Sequence, residues 1–180
     1  MKTTTDSEDW IMTITLEQLA DEIRDALKAD PGRGGKEDVC KIVSKALLDQ
    51  KFIAEHLKDR SEGEHPREVL YEDPNMGFCI CGHVYGGSAH GEPHDHGSSW
   101  AIYGQATGET EMTDWTIVKP GSDNEPKLVE KGRVYTLVPG DAHFYDVGDV
   151  HSPSRDAPVK LIRIEGANLD DVQRSNIKAA

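Results

Sequence analysis

The chain has 180 residues, 36% of them hydrophobic, and a formal net charge of -13 from 20 basic and 33 acidic side chains. That length supports one well-buried domain and gives no reason for two, and the charge has the wrong sign for a partner with a phosphate backbone, which argues against nucleic acid. No apolar run reaches the roughly 18 to 20 residues of a membrane span, the first ten residues lack the apolar centre of a secretory signal, and Cys40, Cys79 and Cys81 are too few for a disulfide framework, so the expectation is a cytoplasmic protein without membrane contact.

Residues 1–13 read as a flexible N-terminus and 14–166 as a single domain. Leu16, Leu19, Ile23 and Leu27 recur at helical spacing, with Thr15 as the cap and Gln18 three residues on. Asp30-Pro31-Gly32-Arg33-Gly34-Gly35 breaks that helix, and a second periodic run through Val39, Ile42, Val43, Ala46, Leu47 and Leu48 extends towards Leu57. Residues 14–60 therefore read as a helical cover. From Arg67 the texture changes to short β-rich runs at 68–71, 77–85, 100–106, 109–118, 133–138, 144–147 and 159–164, separated by turn-forming clusters such as Asp73-Pro74-Asn75, Gly86-Gly87 and Pro139-Gly140-Asp141. Strands at this spacing predict a sandwich or barrel over 67–166. Residues 167–180 read as a C-terminal tail, frayed or forming a short helix.

The chemistry is concentrated in Pro93-His94-Asp95-His96-Gly97. On extended backbone alternate side chains share a face, so His94 and His96 converge while Asp95 points away. Two neutral imidazoles aimed at one point suit a borderline metal ion. His151, in a second segment bounded by turn signals, is the candidate for the third ligand.

These residues carry a resemblance. Gly91-Glu92-Pro93-His94-Asp95-His96 followed by Gly108 resembles the first cupin motif, and Pro139-Gly140 through Gly148-Asp149-Val150-His151 resembles the second. Within the cupins the pattern is most similar to the cysteine dioxygenase family of thiol dioxygenases, over roughly residues 16 to 166 in order of elements. The resemblance implies a mainly β fold, a double-stranded β-helix (jelly-roll barrel) with N-terminal helices packed on it. It also implies a mononuclear non-haem Fe(II) centre using O2. Many metal cupins carry a glutamate ligand four or five residues after the second histidine; Trp100 and Ala101 stand there, as the absence of that ligand in cysteine dioxygenase-like proteins would have it. The chain departs from that family in lacking its Ser-x-His-x-Tyr segment, because the corresponding strand reads Lys160-Leu161-Ile162-Arg163-Ile164-Glu165, and in having Ala101 where some members place a crosslinked cysteine.

Arg67 lies close to where the resembling family places the arginine that holds a substrate carboxylate, and Arg163 is a second candidate for the same grip, since a guanidinium fork matches a carboxylate. Ala101, Tyr103 and Gln105 share one face of a strand, which makes Tyr103 a candidate hydrogen-bond donor to bound oxygen or substrate. Gln105, His143 and Tyr145 are candidates to orient the ligating imidazoles. Cys79 and Cys81 share a face, but no second pair completes a zinc site, and they read as small buried residues.

The leading expectation is a dioxygenase acting on a small metal-chelating thiol or related anion, with Fe(II) as cofactor and Zn, Ni or Mn as other ions the site could take. Cleavage of a carbon-carbon bond in a diketone, a zinc hydrolase or lyase on the same ligands, and a cupin that binds without turnover stay open, as does a homodimer.

Overall fold

The computed structural model describes residues 13–122 and 124–180. Apart from Thr13, the N-terminal stretch expected to be flexible lies outside the described residues. Helix α1 (Leu16–Ala29) begins in the expected capping box: Thr15 accepts from the Gln18 amide while the Gln18 side chain accepts from the Thr15 amide, and Leu19, Ala20, Ile23 and Leu27 form its buried face.

The second helical run is two helices, α2 (Arg33–Ala46) and α3 (Gln50–His56), and not one extending to Leu57. Asp49 is the reason. Its carboxylate accepts from the Lys51 and Phe52 amides at 2.9 and 3.1 Å, opening a new helix, and from the Ile14 amide at 3.0 Å, tying down the entry to α1.

Among the described residues ten strands follow: β1 (Arg67–Glu72), β2 (Cys79–Tyr85), β3 (Ala89–His90), β4 (Ala101–Thr107), β5 (Thr110–Lys119), β6 (Lys127–Leu137), β7 (Ala142–Tyr145), β8 (Val150–Arg155), β9 (Val159–Glu165) and β10 (Ile177–Ala179). They form two five-stranded sheets in the orders β1-β2-β9-β4-β7 and β10-β6-β5-β8-β3. Setting aside the flanking β1 and β10, each sheet is a four-stranded antiparallel half whose strands are drawn alternately from along the chain, which is the jelly roll expected from the cupin resemblance. No helix among the described residues is long and apolar enough to cross a membrane.

The helices cover the outer face of the first sheet. Ile80, Val84, Ile102, Ala106, Phe144, Ile162 and Ile164 point out of the barrel and pack with Leu19, Ile23, Val39, Val43, Phe52 and Leu57 in one apolar core, each large aliphatic side chain contributing about 1.5–3 kcal/mol by leaving water. The approach is close enough that a β-carbon at Gly104 would lie 2.6 Å from Val43 Cγ1. The residues between these, on the inner face, line the barrel: Ala101, Tyr103, Tyr145 and Leu161 pack against Met112 and Leu137 of the second sheet.

Three strands carry no signal strong enough to be read in advance. Strand β3 has two residues, β8 reads Val-His-Ser-Pro-Ser-Arg with little strand preference, and β10 belongs to the segment expected to be a tail. That segment forms a short 3-10 turn at Leu169–Asp171 and then pairs in parallel with β6, Ile177 opposite Lys127. Strand β6 also starts earlier than expected, and β7 lies at Ala142–Tyr145 in place of 144–147.

Candidate metal centre

His94 and His96 lie not within a named strand but on the extended stretch after β3, which is anchored to β8 by a reciprocal pair of hydrogen bonds: the His94 amide donates to the His151 carbonyl and the His151 amide to that of His94, both at 3.0 Å. This pairing brings two segments far apart in sequence to one place. Beyond it the chain turns at Gly97, whose φ of +59° and closeness to the Gln173 carbonyl leave no room for a β-carbon. Asp95 points away from the imidazoles, as extended backbone requires, and is held by the Gly97 and Ser175 amides at 3.0 Å and by Lys127 Nζ at 3.1 Å. Burial works against its charge, but these hydrogen bonds outweigh it and hold the carboxyl at about 2. The C-terminal segment thus braces the histidine loop from behind.

The three histidines converge. One nitrogen from each of His94, His96 and His151 falls within 4.8 Å of the others, and the ring centroids are 4.7 to 5.6 Å apart. His96 and His151 are buried and His94 is partly exposed. Backbone carbonyls set two of the tautomers: Nδ1 of His94 donates to Glu92 at 3.0 Å and Nδ1 of His151 to Asp149 at 3.3 Å, which leaves each Nε2 as a lone pair. Burial is the main reason that all three resist protonation. It lowers His94 to about 4 and, with the Arg163 charge adding to it, His96 to about 2; His151 is lowered further still, with the two neighbouring imidazoles contributing. Three neutral nitrogen donors, two of them oriented by backbone carbonyls, fit a borderline divalent ion.

Tyr103 is nearer to this cluster than a donor to substrate needs to be. Its Oη lies 3.0 Å from His96 Nε2 and 3.1 Å from His151 Nε2, and its ring stands perpendicular to that of His151. Burial raises the phenol above its ordinary range, so without a cation it keeps its proton. Tyr145 stacks on His151 at 4.0 Å between centroids and shares a 2.6 Å hydrogen bond with the Tyr135 hydroxyl. His143 lies one ring further out, against Tyr145 and Tyr135, and Gln105 is not brought to the histidines: its amide donates to the Thr107 and Gly108 carbonyls.

The two candidate arginines are placed differently. Arg67 donates four hydrogen bonds, to Glu165 at 3.2 and 2.7 Å, to Asp170 at 2.7 Å and to Asn168 at 2.9 Å, which ties the C-terminal segment to β1 and β9. Arg163 is 8% exposed and lies over the Tyr103 ring at 4.0 Å, yet its guanidinium donates no hydrogen bond among the described residues; Nε is buried without a partner and Glu165 is 3.9 Å from Nη1. Leu161, Arg163 and Glu165 alternate into the barrel along β9.

Two further inner-face groups lie beside these arginines: Glu165, to which the sequence assigns no role, and His83, which reads there as a polar residue near a turn. Glu165 is wholly buried between Arg67, Arg163 and His83, and its signal was available, because it shares a face with Arg163 two residues away. His83 bonds through Nδ1 to the Tyr85 hydroxyl at 3.0 Å, while its Nε2 has no hydrogen-bond partner among the described residues. Cys79 and Cys81 are buried thiols whose acidity burial suppresses, in keeping with a packing role.

No family model matches the chain, and no curated protein matches it. Solved structures do. An uncharacterised conserved protein with a double-stranded β-helix domain from Klebsiella pneumoniae is 17% identical, covering 69% of this chain and 88% of its own, with a TM-score of 0.48. KdgF from Halomonas sp. is 17% identical over 63% of this chain and 90% of its own, with a TM-score of 0.44. A cupin superfamily protein from Desulfitobacterium hafniense is 13% identical over 59% and 81%, with a TM-score of 0.43.

Proposed function

We propose that this chain is a mononuclear non-haem iron dioxygenase acting on a small anionic molecule that chelates the metal. The observation that carries this reading is the convergence of three neutral imidazoles beside an arginine that donates no hydrogen bond among the described residues. His94, His96 and His151 would hold Fe(II), whose open positions would let it pass electrons between a chelating anion and O2. The remaining work falls to the chain's own side chains. Arg163, buried and short of acceptors, binds the carboxylate or other anionic group of the substrate through its fork of N–H donors, because leaving those donors unmet inside the barrel is costly. Arg67, already bonded to Glu165, Asp170 and Asn168, holds the wall in place. Tyr145 fixes the plane of the His151 ring, and Ala101, Met112, Leu137 and Leu161 exclude bulk water from the reacting groups. The substrate class is a small acid with a thiolate or enolate placed to chelate.

Metal analysis of protein purified without chelators, followed by O2-electrode assays on carboxylate-bearing thiols and diketones, tests the proposal. Iron at about one per chain, with O2 uptake that depends on substrate and vanishes in His96→Ala, is the expected result. A zinc-loaded protein that hydrolyses its substrates without consuming O2 would replace the dioxygenase with a hydrolase on the same ligands.

A further inference from the structure

Tyr103 presents a hydrogen-bonding problem that a cation would solve. Its Oη is buried in the barrel and its only polar contacts among the described residues are the Nε2 atoms of His96 and His151. A phenol has one proton. When both nitrogens offer lone pairs, as metal binding requires, the hydroxyl can satisfy at most one of them. Once an ion takes both lone pairs, the hydroxyl loses its partners altogether and is left as a buried, unpaired polar group, which is costly. Coordination to the same ion removes that cost.

The distances agree. For bonds of about 2.1 Å, adjacent ligands of a six-coordinate ion lie about 3.0 Å apart, and those of a tetrahedral one about 3.4 Å. Tyr103 Oη stands 3.0 and 3.1 Å from the two nitrogens, the separation of neighbouring ligands in one coordination sphere. Strand β4 carries no carboxylate at Trp100 or Ala101, and its next inward side chain is this tyrosine. The Arg163 guanidinium, 4.0 Å over the ring, adds a positive charge that favours an anionic oxygen and holds the ring in place.

We infer that Tyr103 is a fourth protein ligand, making the centre a three-histidine, one-tyrosinate site. The inference rests on the metal-centre reading above. On binding, the O–H bond breaks, its proton passes to solvent, and the oxygen pair is shared with the ion. Anionic ligation would lower the charge of the centre by one, and four protein ligands would leave a six-coordinate ion room for a chelating substrate or for one substrate atom and O2.

The test is spectroscopic and independent of turnover. Purified protein is loaded separately with Fe(III) and Cu(II), metal stoichiometry is measured, and the visible spectrum is searched for a phenolate-to-metal charge-transfer band. The wild type should show the band; Tyr103→Phe should lose it and bind the metal at least about tenfold more weakly; Tyr135→Phe should keep it. Resonance Raman excitation within the band of the wild type should show tyrosinate ring modes, which guards against a Tyr103→Phe protein that does not fold. Wild-type protein holding one ion per chain with neither band nor ring modes would overturn the tyrosine ligand and leave the three-histidine centre standing. Wild-type protein that holds neither ion would overturn both.

Discussion

The two faces of the first sheet are made from the same strands and do opposite things. Along β9, Ile162 and Ile164 point into the helices while Leu161, Arg163 and Glu165 point into the barrel; along β4, Ile102 and Ala106 face out while Ala101, Tyr103 and Gln105 face in. The outer face is uninterrupted hydrocarbon under α1, α2 and α3. The inner face holds two arginines, a carboxylate, imidazoles and phenols, most of them satisfied by one another. A two-residue period thus lets one strand stabilise the fold on one side and present chemistry on the other. Loading the helix-covered side with apolar contacts compensates for the desolvated charges opposite.

Substitutions on the two faces should therefore be separable. The largest loss is expected on the inner face from Glu165→Gln, which leaves Arg67 and Arg163 without their shared buried counter-charge. Breaking such a pair costs about 3–5 kcal/mol, and urea denaturation should register it, together with loosening of the C-terminal segment that Arg67 also holds, read as faster amide exchange around Asn168. On the outer face Ile164→Ala, at a fully buried position, should cost about 2–5 kcal/mol by the same measurement, but metal bound per folded chain should be unchanged. A fall in metal stoichiometry for the outer variant would show that the faces are coupled.

The third expected effect is a gradual one, with pH. Burial lowers His83 to about 3 and His94 to about 4, below the value of about 6.5 expected of an unfolded histidine. The unfolded chain therefore takes up protons that the folded chain refuses, so stability is complete above about pH 6.5 and is lost as pH falls towards 4 and 3. Asp95, held at about 2, acts in the same direction at the lower end. Melting temperatures of metal-free protein across pH 4 to 7 should fall steadily with acid, and His83→Gln should flatten the slope. An unchanged melting temperature over that range would contradict the neutral, desolvated interior.

Much of this division was legible in the sequence. The capping box at Thr15 and Gln18, the helical spacing from Leu16, the alternation of β4 and the convergence of His94 with His96 are local patterns, and local patterns fix local geometry. Asp95 pointing away from its neighbours followed from the same period. What stayed hidden depends on partners distant in sequence. Strand β8 is held between β5 and β3 by pairing that outweighs the poor strand preference of Ser152, Pro153 and Ser154. Strand β10 exists because β6 offers it an edge, and Asp49, which caps α3 through its own neighbours, also ties down an amide 35 residues earlier at the entry to α1. The contrast between Arg67 and Arg163 was equally invisible. Both read as exposed or anion-binding arginines, and only the placement of Glu165, Asn168 and Asp170 shows which of them is already satisfied.

The most direct test is a crystal structure of iron-loaded protein with anomalous diffraction recorded at the iron edge. A single peak bonded to the Nε2 atoms of His94, His96 and His151 is the predicted result. A peak elsewhere, or one reached by fewer than these three imidazoles, would contradict the account.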